Sequence, residues 1–141
     1  MKVKKKLNVS ADAYFDLLAR YLLQDLRKTF GKKVKATDLK PGYTFTKTYK
    51  LVDESLYKSK QVLEEYDYGK AYRLTFTIPQ GTQIVAHTIK ELGENQIEVT
   101  FEDTIVSSVP AQKFRNLTGA NAKKKQMKQF LEQVEAQIIV K

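Results

Sequence analysis

The chain has 141 residues with 42% hydrophobic and 29% charged content, enough for one domain with a substantial core and too apolar for a disordered one. It contains no cysteine, which removes disulfides, thiolate nucleophiles and cysteine-ligated metal centres. A formal net charge of +9 is compatible with nucleic acid, an anionic membrane or an acidic partner. The lysines, however, fall into separate groups at Lys2, Lys4, Lys5 and Lys6, at Lys32, Lys33 and Lys35, and at Lys123, Lys124, Lys125 and Lys128. A solvated surface accounts for them, and nucleic-acid binding is not expected.

Val3, Lys5, Leu7 and Val9 alternate with Lys2, Lys4, Lys6 and Asn8, the two-residue period of a strand with one wet face, and its lysines suit a sheet edge. Ser10 is placed to cap a helix starting near Ala11, with Asp12 and Asp16 near its positive end. Phe15, Leu18, Leu22 and Leu26 form its apolar stripe and Gly31 its stop, in one helix or two shorter ones. Asn8, Ser10 and Asp12 interrupt the apolar residues after the basic start, so no secretory leader is expected and the chain reads as cytoplasmic. No uninterrupted apolar run is long enough to span a membrane. Without secretion, the glycosylation sequon at Asn116-Leu117-Thr118 is a chance match.

Lys40-Pro41-Gly42 predicts a turn into a strand in which Tyr43, Phe45, Tyr49 and Leu51 alternate with Thr44, Thr46 and Thr48. Asp53-Glu54 turns the chain into a weaker strand within Leu56 to Tyr66, whose register the pattern leaves open. After a turn at Asp67-Tyr68-Gly69-Lys70, Tyr72, Leu74, Phe76 and Ile78 alternate as far as Pro79-Gln80-Gly81. Val85, His87 and Ile89 share a face of the next strand, which ends near Gly93-Glu94-Asn95. Ile97, Val99, Phe101 and Ile105 alternate in the last. Pro110 suits the first turn of a helix that Gly119 breaks or kinks, and Asn121 can cap a new start. From there Met127, Phe130, Leu131, Val134 and Ile138 form an apolar stripe. About twenty residues at about 1.5 Å each give a rod of roughly 30 Å, enough to cross a sheet. The fold class is therefore α+β, one domain over residues 1–141, in which a curved antiparallel sheet of six to seven strands wraps a long C-terminal helix.

Placing Ile89 opposite Val99 sets His87 opposite Phe101 and Val85 opposite Asp103. His87 and Asp103 then become diagonal neighbours, about 7 Å apart at the backbone. A carboxylate beside an imidazole in an apolar cavity can orient a general base for proton abstraction or lactone hydrolysis; a polar pair in the core, or a shifted register with His87 in water, gives the same pattern. His87 is the only histidine, which excludes a multi-histidine zinc site within one chain. No glycine-rich phosphate loop, HExxH or GxSxG motif is present, and neither cofactor nor metal is expected. Tyr43, Tyr49, Tyr72 and Phe76 either pack the core or line a ligand cavity.

The strand ending at Val9 followed by Ser10-Ala11-Asp12-Ala13-Tyr14-Phe15-Asp16-Leu17-Leu18 resembles the opening of START-like (SRPBCC, helix-grip) domains. That superfamily includes polyketide cyclases, pollen-allergen-like proteins and lipid-transfer domains. Tyr68-Gly69-Lys70-Ala71-Tyr72 and Val99-Thr100-Phe101-Glu102-Asp103 resemble its mid-sheet hairpins, and the last helix sits where that fold has its long one. The whole chain is similar to an uncharacterised family of comparable length from Gram-positive bacteria in that superfamily. Gly119 departs from the usually continuous last helix. The resemblance implies a helix-grip fold, but members bind lipids, hormones or polyketides, act as enzymes or assist chaperones, so it does not choose a function. The expected partner is a small hydrophobic or amphipathic molecule, lined by Tyr43, Tyr49, Tyr72, His87, Asp103, Phe130 and Val134; oligomeric state is open. The alternatives are a cyclase- or hydrolase-type enzyme using His87 and Asp103, or a basic-surface interaction protein.

Overall fold

A computed structural model describes residues 1–107 and 120–139. The expectations for Pro110, the sequon and Gly119, and for the Asn121 side chain as a cap, lie outside what it describes. Strand β1 (Lys2–Leu7) leads through Ser10, whose Oγ accepts from the Ala13 N–H at 3.1 Å, into α1 (Ala11–Phe30). This is one continuous helix, stopped at Gly31, whose positive φ of 86° lets its N–H close on the Arg27 carbonyl. A short 3₁₀ turn (Ala36–Asp38) precedes β2 (Tyr43–Lys50), β3 (Leu56–Asp67), β4 (Ala71–Ile78), β5 (Gly81–Gly93) and β6 (Gln96–Ser107). Helix α2 (Ala120–Ile139) ends the described chain.

The strands form one curved antiparallel sheet in the order β1-β6-β5-β4-β3-β2, six strands with the lysine-rich β1 at an edge. Ile89 pairs with Val99, His87 with Phe101 and Val85 with Asp103, so the shifted register that would put His87 in water is not the one adopted. The strand whose register the sequence left open is β3, twelve residues long. Its pairing with β4 slips between Leu63 and Glu65, and this bulge is why simple alternation fails there.

Because side chains alternate across the pleat, Val3 and Leu7 of β1, Val99 and Phe101 of β6, and His87 and Ile89 of β5 share the inner face with Tyr72 of β4 and Leu63 of β3. Helix α2 packs on β1 and α1, and α1 also packs on β5. Met127, Leu131 and Val134 are sealed with Leu7, Phe15, Ile97 and Val99, so the C-terminal stripe covers the sheet as its spacing requires. The ion pair of Lys5 with Glu132 and the hydrogen bond from the Asn8 N–H to Glu135 fasten α2 to β1.

Gly81 closes the β4–β5 turn with φ of 150°, and a Cβ there would fall on the Val106 carbonyl of the paired strand. Gly81→Ala is therefore expected to cost about 2 kcal/mol or more in urea unfolding, because both the backbone and β6 must shift. A loss below about 0.5 kcal/mol would show that this corner adapts freely.

Candidate binding site around His87

His87 stands where β4, β5, β6 and both helices meet, and it is 3% exposed. Its strand neighbours are Phe101 on one side and Tyr72 on the other. The imidazole stacks on the Phe101 ring with centroids 4.5 Å apart and planes 14° from parallel, and it meets Tyr72 edge-on at 5.7 Å. Phe130 of α2 closes in at 6.2 Å. Tyr14 of α1, fully buried, brings its hydroxyl within 2.7 Å of His87 Nδ1. An isolated imidazole or phenol in so apolar a place would be costly, and each relieves the other.

Burial disfavours the charged form of every group in this cluster. It drives His87 down to about 3 and raises Tyr14 and Tyr72 above the ordinary phenol range. All three are neutral at physiological pH.

Asp103 shares the inner face with His87, but its carboxylate is occupied elsewhere. Oδ1 accepts from Gln83 Nε2 at 2.8 Å and Oδ2 pairs with Lys123 Nζ of α2 at 3.0 Å. The predicted register is right, yet the side chains lean apart, since the amide and ammonium attract the carboxylate and the apolar rings around His87 do not. The hydrogen-bonded pair that would orient His87 as a general base is not formed.

Of the other residues singled out in the sequence, Tyr72 and Phe130 touch His87 and Val134 lies sealed in the core, 1% exposed. Tyr43 packs on Phe45 further along the sheet, 5.7 Å between centroids. Tyr49 is 41% exposed, accepts from Gln61 Nε2 at 3.1 Å and lies under the Lys47 ammonium. Lys47 is held protonated above its ordinary range: burial pulls it down, and its hydrogen bond and ion pair with Asp25 outweigh that. Tyr14 was missing from the expected site, although its four-residue offset from Leu18 places both on one helix face. Gln61 and Gln83 carried no signal, because a polar residue on an inner face looks like one on an outer face until the register is known.

The inner face has two ends of different character. Leu7, Ile97 and Val99 are fully sealed at one end, as is Leu131 of α2. Toward the other, Leu74, Phe76, Val85 and Gln83 are only half-buried, next to the Asp103–Lys123 pair and the buried Gln61. An apolar wall that grades into amides and charges can hold a molecule with an apolar body and a polar end.

Residues 1–133 match the family described as Domain of unknown function (DUF3284). The chain belongs to the DUF3284 family. No curated protein sequence matches it. Solved structures share the architecture at low identity. This DUF3284 chain is similar to Ara h 8.0201 at 10% identity and a TM-score of 0.53, covering 100% of this chain and 97% of that one. It is similar to protein MLL2253 from Mesorhizobium loti at 14% identity and a TM-score of 0.57, over 99% and 95% of the two chains. DynU16, from the dynemicin biosynthetic locus, aligns at 9% identity and a TM-score of 0.55, over 96% of this chain and 45% of that one. These likenesses establish the helix-grip fold of this DUF3284 chain. Among its described residues, no helix is long and apolar enough to cross a membrane.

Proposed function

We propose that this DUF3284 protein is a binding module, one helix-grip domain over residues 1–141, that holds a small hydrophobic or amphipathic molecule between the inner sheet face and α2. The observation that carries this reading is the half-buried apolar wall of Leu74, Phe76 and Val85, continuous with the aromatic cluster around His87 and bordered by polar side chains. A core built only for stability seals such residues, as the opposite end of the same face does.

The test is occupancy. An anilinonaphthalene sulfonate dye should bind with a fluorescence rise, and native mass spectrometry should show a one-to-one complex. Phe76→Glu places a charge on the wall and is expected to weaken the dye at least about tenfold, equivalent to about 1.4 kcal/mol. Thr88→Glu, at an exposed position of β5, should leave dye binding unchanged. Equal affinity in the two variants, or no dye binding at all, would refute a ligand site on this face.

A further inference from the structure

His87 has two ring nitrogens, and only Nδ1 has a partner among the described residues, the Tyr14 hydroxyl at 2.7 Å. The Tyr72 hydroxyl has none there either, although Tyr72 is 7% exposed and His87 3%. Among the described residues no fully enclosed side-chain nitrogen or oxygen lacks a hydrogen bond, so Nε2 and the Tyr72 hydroxyl both reach open space. Two rings more than nine-tenths buried, their centroids 5.7 Å apart, therefore each carry a polar group without a partner among the described residues.

Which nitrogen carries the proton follows from Tyr14. Its fully buried hydroxyl has one proton, and His87 is its partner among the described residues. The imidazole lone pair is a stronger acceptor than a phenol oxygen, and a phenol that accepted from Nδ1–H would leave its own proton without an acceptor. Tyr14 therefore donates to Nδ1, and the neutral ring bears its proton on Nε2. Stacking on Phe101 and edge contact with Tyr72 fix the plane of the ring, so the donor points in one direction.

We propose that His87 is the fixed hydrogen-bond donor of the site, with Tyr14 as its positioning residue, and that the ligand presents an oxygen acceptor of the carbonyl class to Nε2–H. This rests on the binding-module reading above and adds the chemistry of the ligand. A site that holds a desolvated donor discriminates against a ligand lacking the acceptor, since the donor then loses water and gains nothing.

The single histidine makes the tautomer directly readable. Long-range nitrogen–proton NMR correlation of the free protein should show Nδ1 as the unprotonated nitrogen and Nε2 as the protonated one. Tyr14→Phe should mix the two tautomers. Acetylnaphthalene and ethylnaphthalene have nearly the same shape and differ in the carbonyl. The ketone should bind about tenfold tighter and shift the Nε2 resonance, as expected for one matched donor. In Tyr14→Phe and His87→Phe, with fold checked by circular dichroism, the preference should collapse while ethylnaphthalene affinity holds. Protonated Nδ1 in the free protein would overturn the role of Tyr14. Equal affinity for the two probes, with no change at Nε2, would overturn carbonyl recognition and leave the binding module standing. Failure of both probes and of the sulfonate dye to bind would overturn the module itself.

Discussion

Between about pH 8 and about pH 4 the protein is expected to lose roughly 3 kcal/mol of stability through His87 alone. The unfolded chain's imidazole titrates near its ordinary value of 6.5, whereas burial lowers the folded one to about 3. Below the unfolded value the unfolded state binds the proton and the folded state does not, so protonation favours unfolding. Stability is thus intact above about pH 6.5 and falls by up to about 1.4 kcal/mol per pH unit as pH approaches 3. Around the ring stand Tyr14, Tyr72, Phe101 and Phe130, and the Asp103 carboxylate is held by Gln83 and Lys123, so among the described residues no neighbouring anion offsets the loss. Urea unfolding across this range, compared with His87→Gln, isolates the effect because carboxylates titrate in both proteins. The variant starts less stable and declines less steeply. Parallel curves for the two proteins would mean that the imidazole charges readily in the folded state.

Leu131→Ala is expected to cost about 3 kcal/mol, a large part of the roughly 5–15 kcal/mol that holds a domain together. Leu131 is fully buried on α2 beside Met127 and Val134, and through this face the helix closes over β1 and α1. Truncation removes the transfer energy of the side chain and leaves a cavity that a helix fastened by Lys5–Glu132 and Asn8–Glu135 cannot easily close. Glu132→Ala, one residue further on, removes an exposed ion pair and is expected to change stability by less than about 1 kcal/mol. Comparable losses in the two variants would mean that α2 does not use this stripe as its buried face.

Much of the fold was legible because burial leaves a periodic trace. The alternation in β5 and β6 marked the face each buries, and with Ile89 opposite Val99 the pairing runs unshifted from Gly81 to Glu91, slipping beside the turn between Glu91 and Gly93. The stripe from Met127 to Val134 marked the buried face of α2, and Ser10 and Gly31 marked both ends of α1. The trace failed at β3, where the bulge after Leu63 shifts the side chains from one face to the other. It also passed over Tyr14, since an aromatic residue on an amphipathic helix looks like packing until its partner across the core is known.

The sequence by itself determined the α+β class, the order of the elements and the buried faces of all but β3, because these are set by neighbours in one strand or helix, whereas the register around His87 was one of two that the alternation allowed and was decided by strand pairing. Only the tertiary structure decided which polar groups meet. His87 takes Tyr14, 73 positions away in the chain, and Asp103 takes Gln83 and Lys123, leaving the expected pair apart. Hydrogen bonds act over about 3 Å, so their partners are fixed by how helices dock on the sheet and by which neighbour best replaces lost water, quantities that no local pattern of residues encodes.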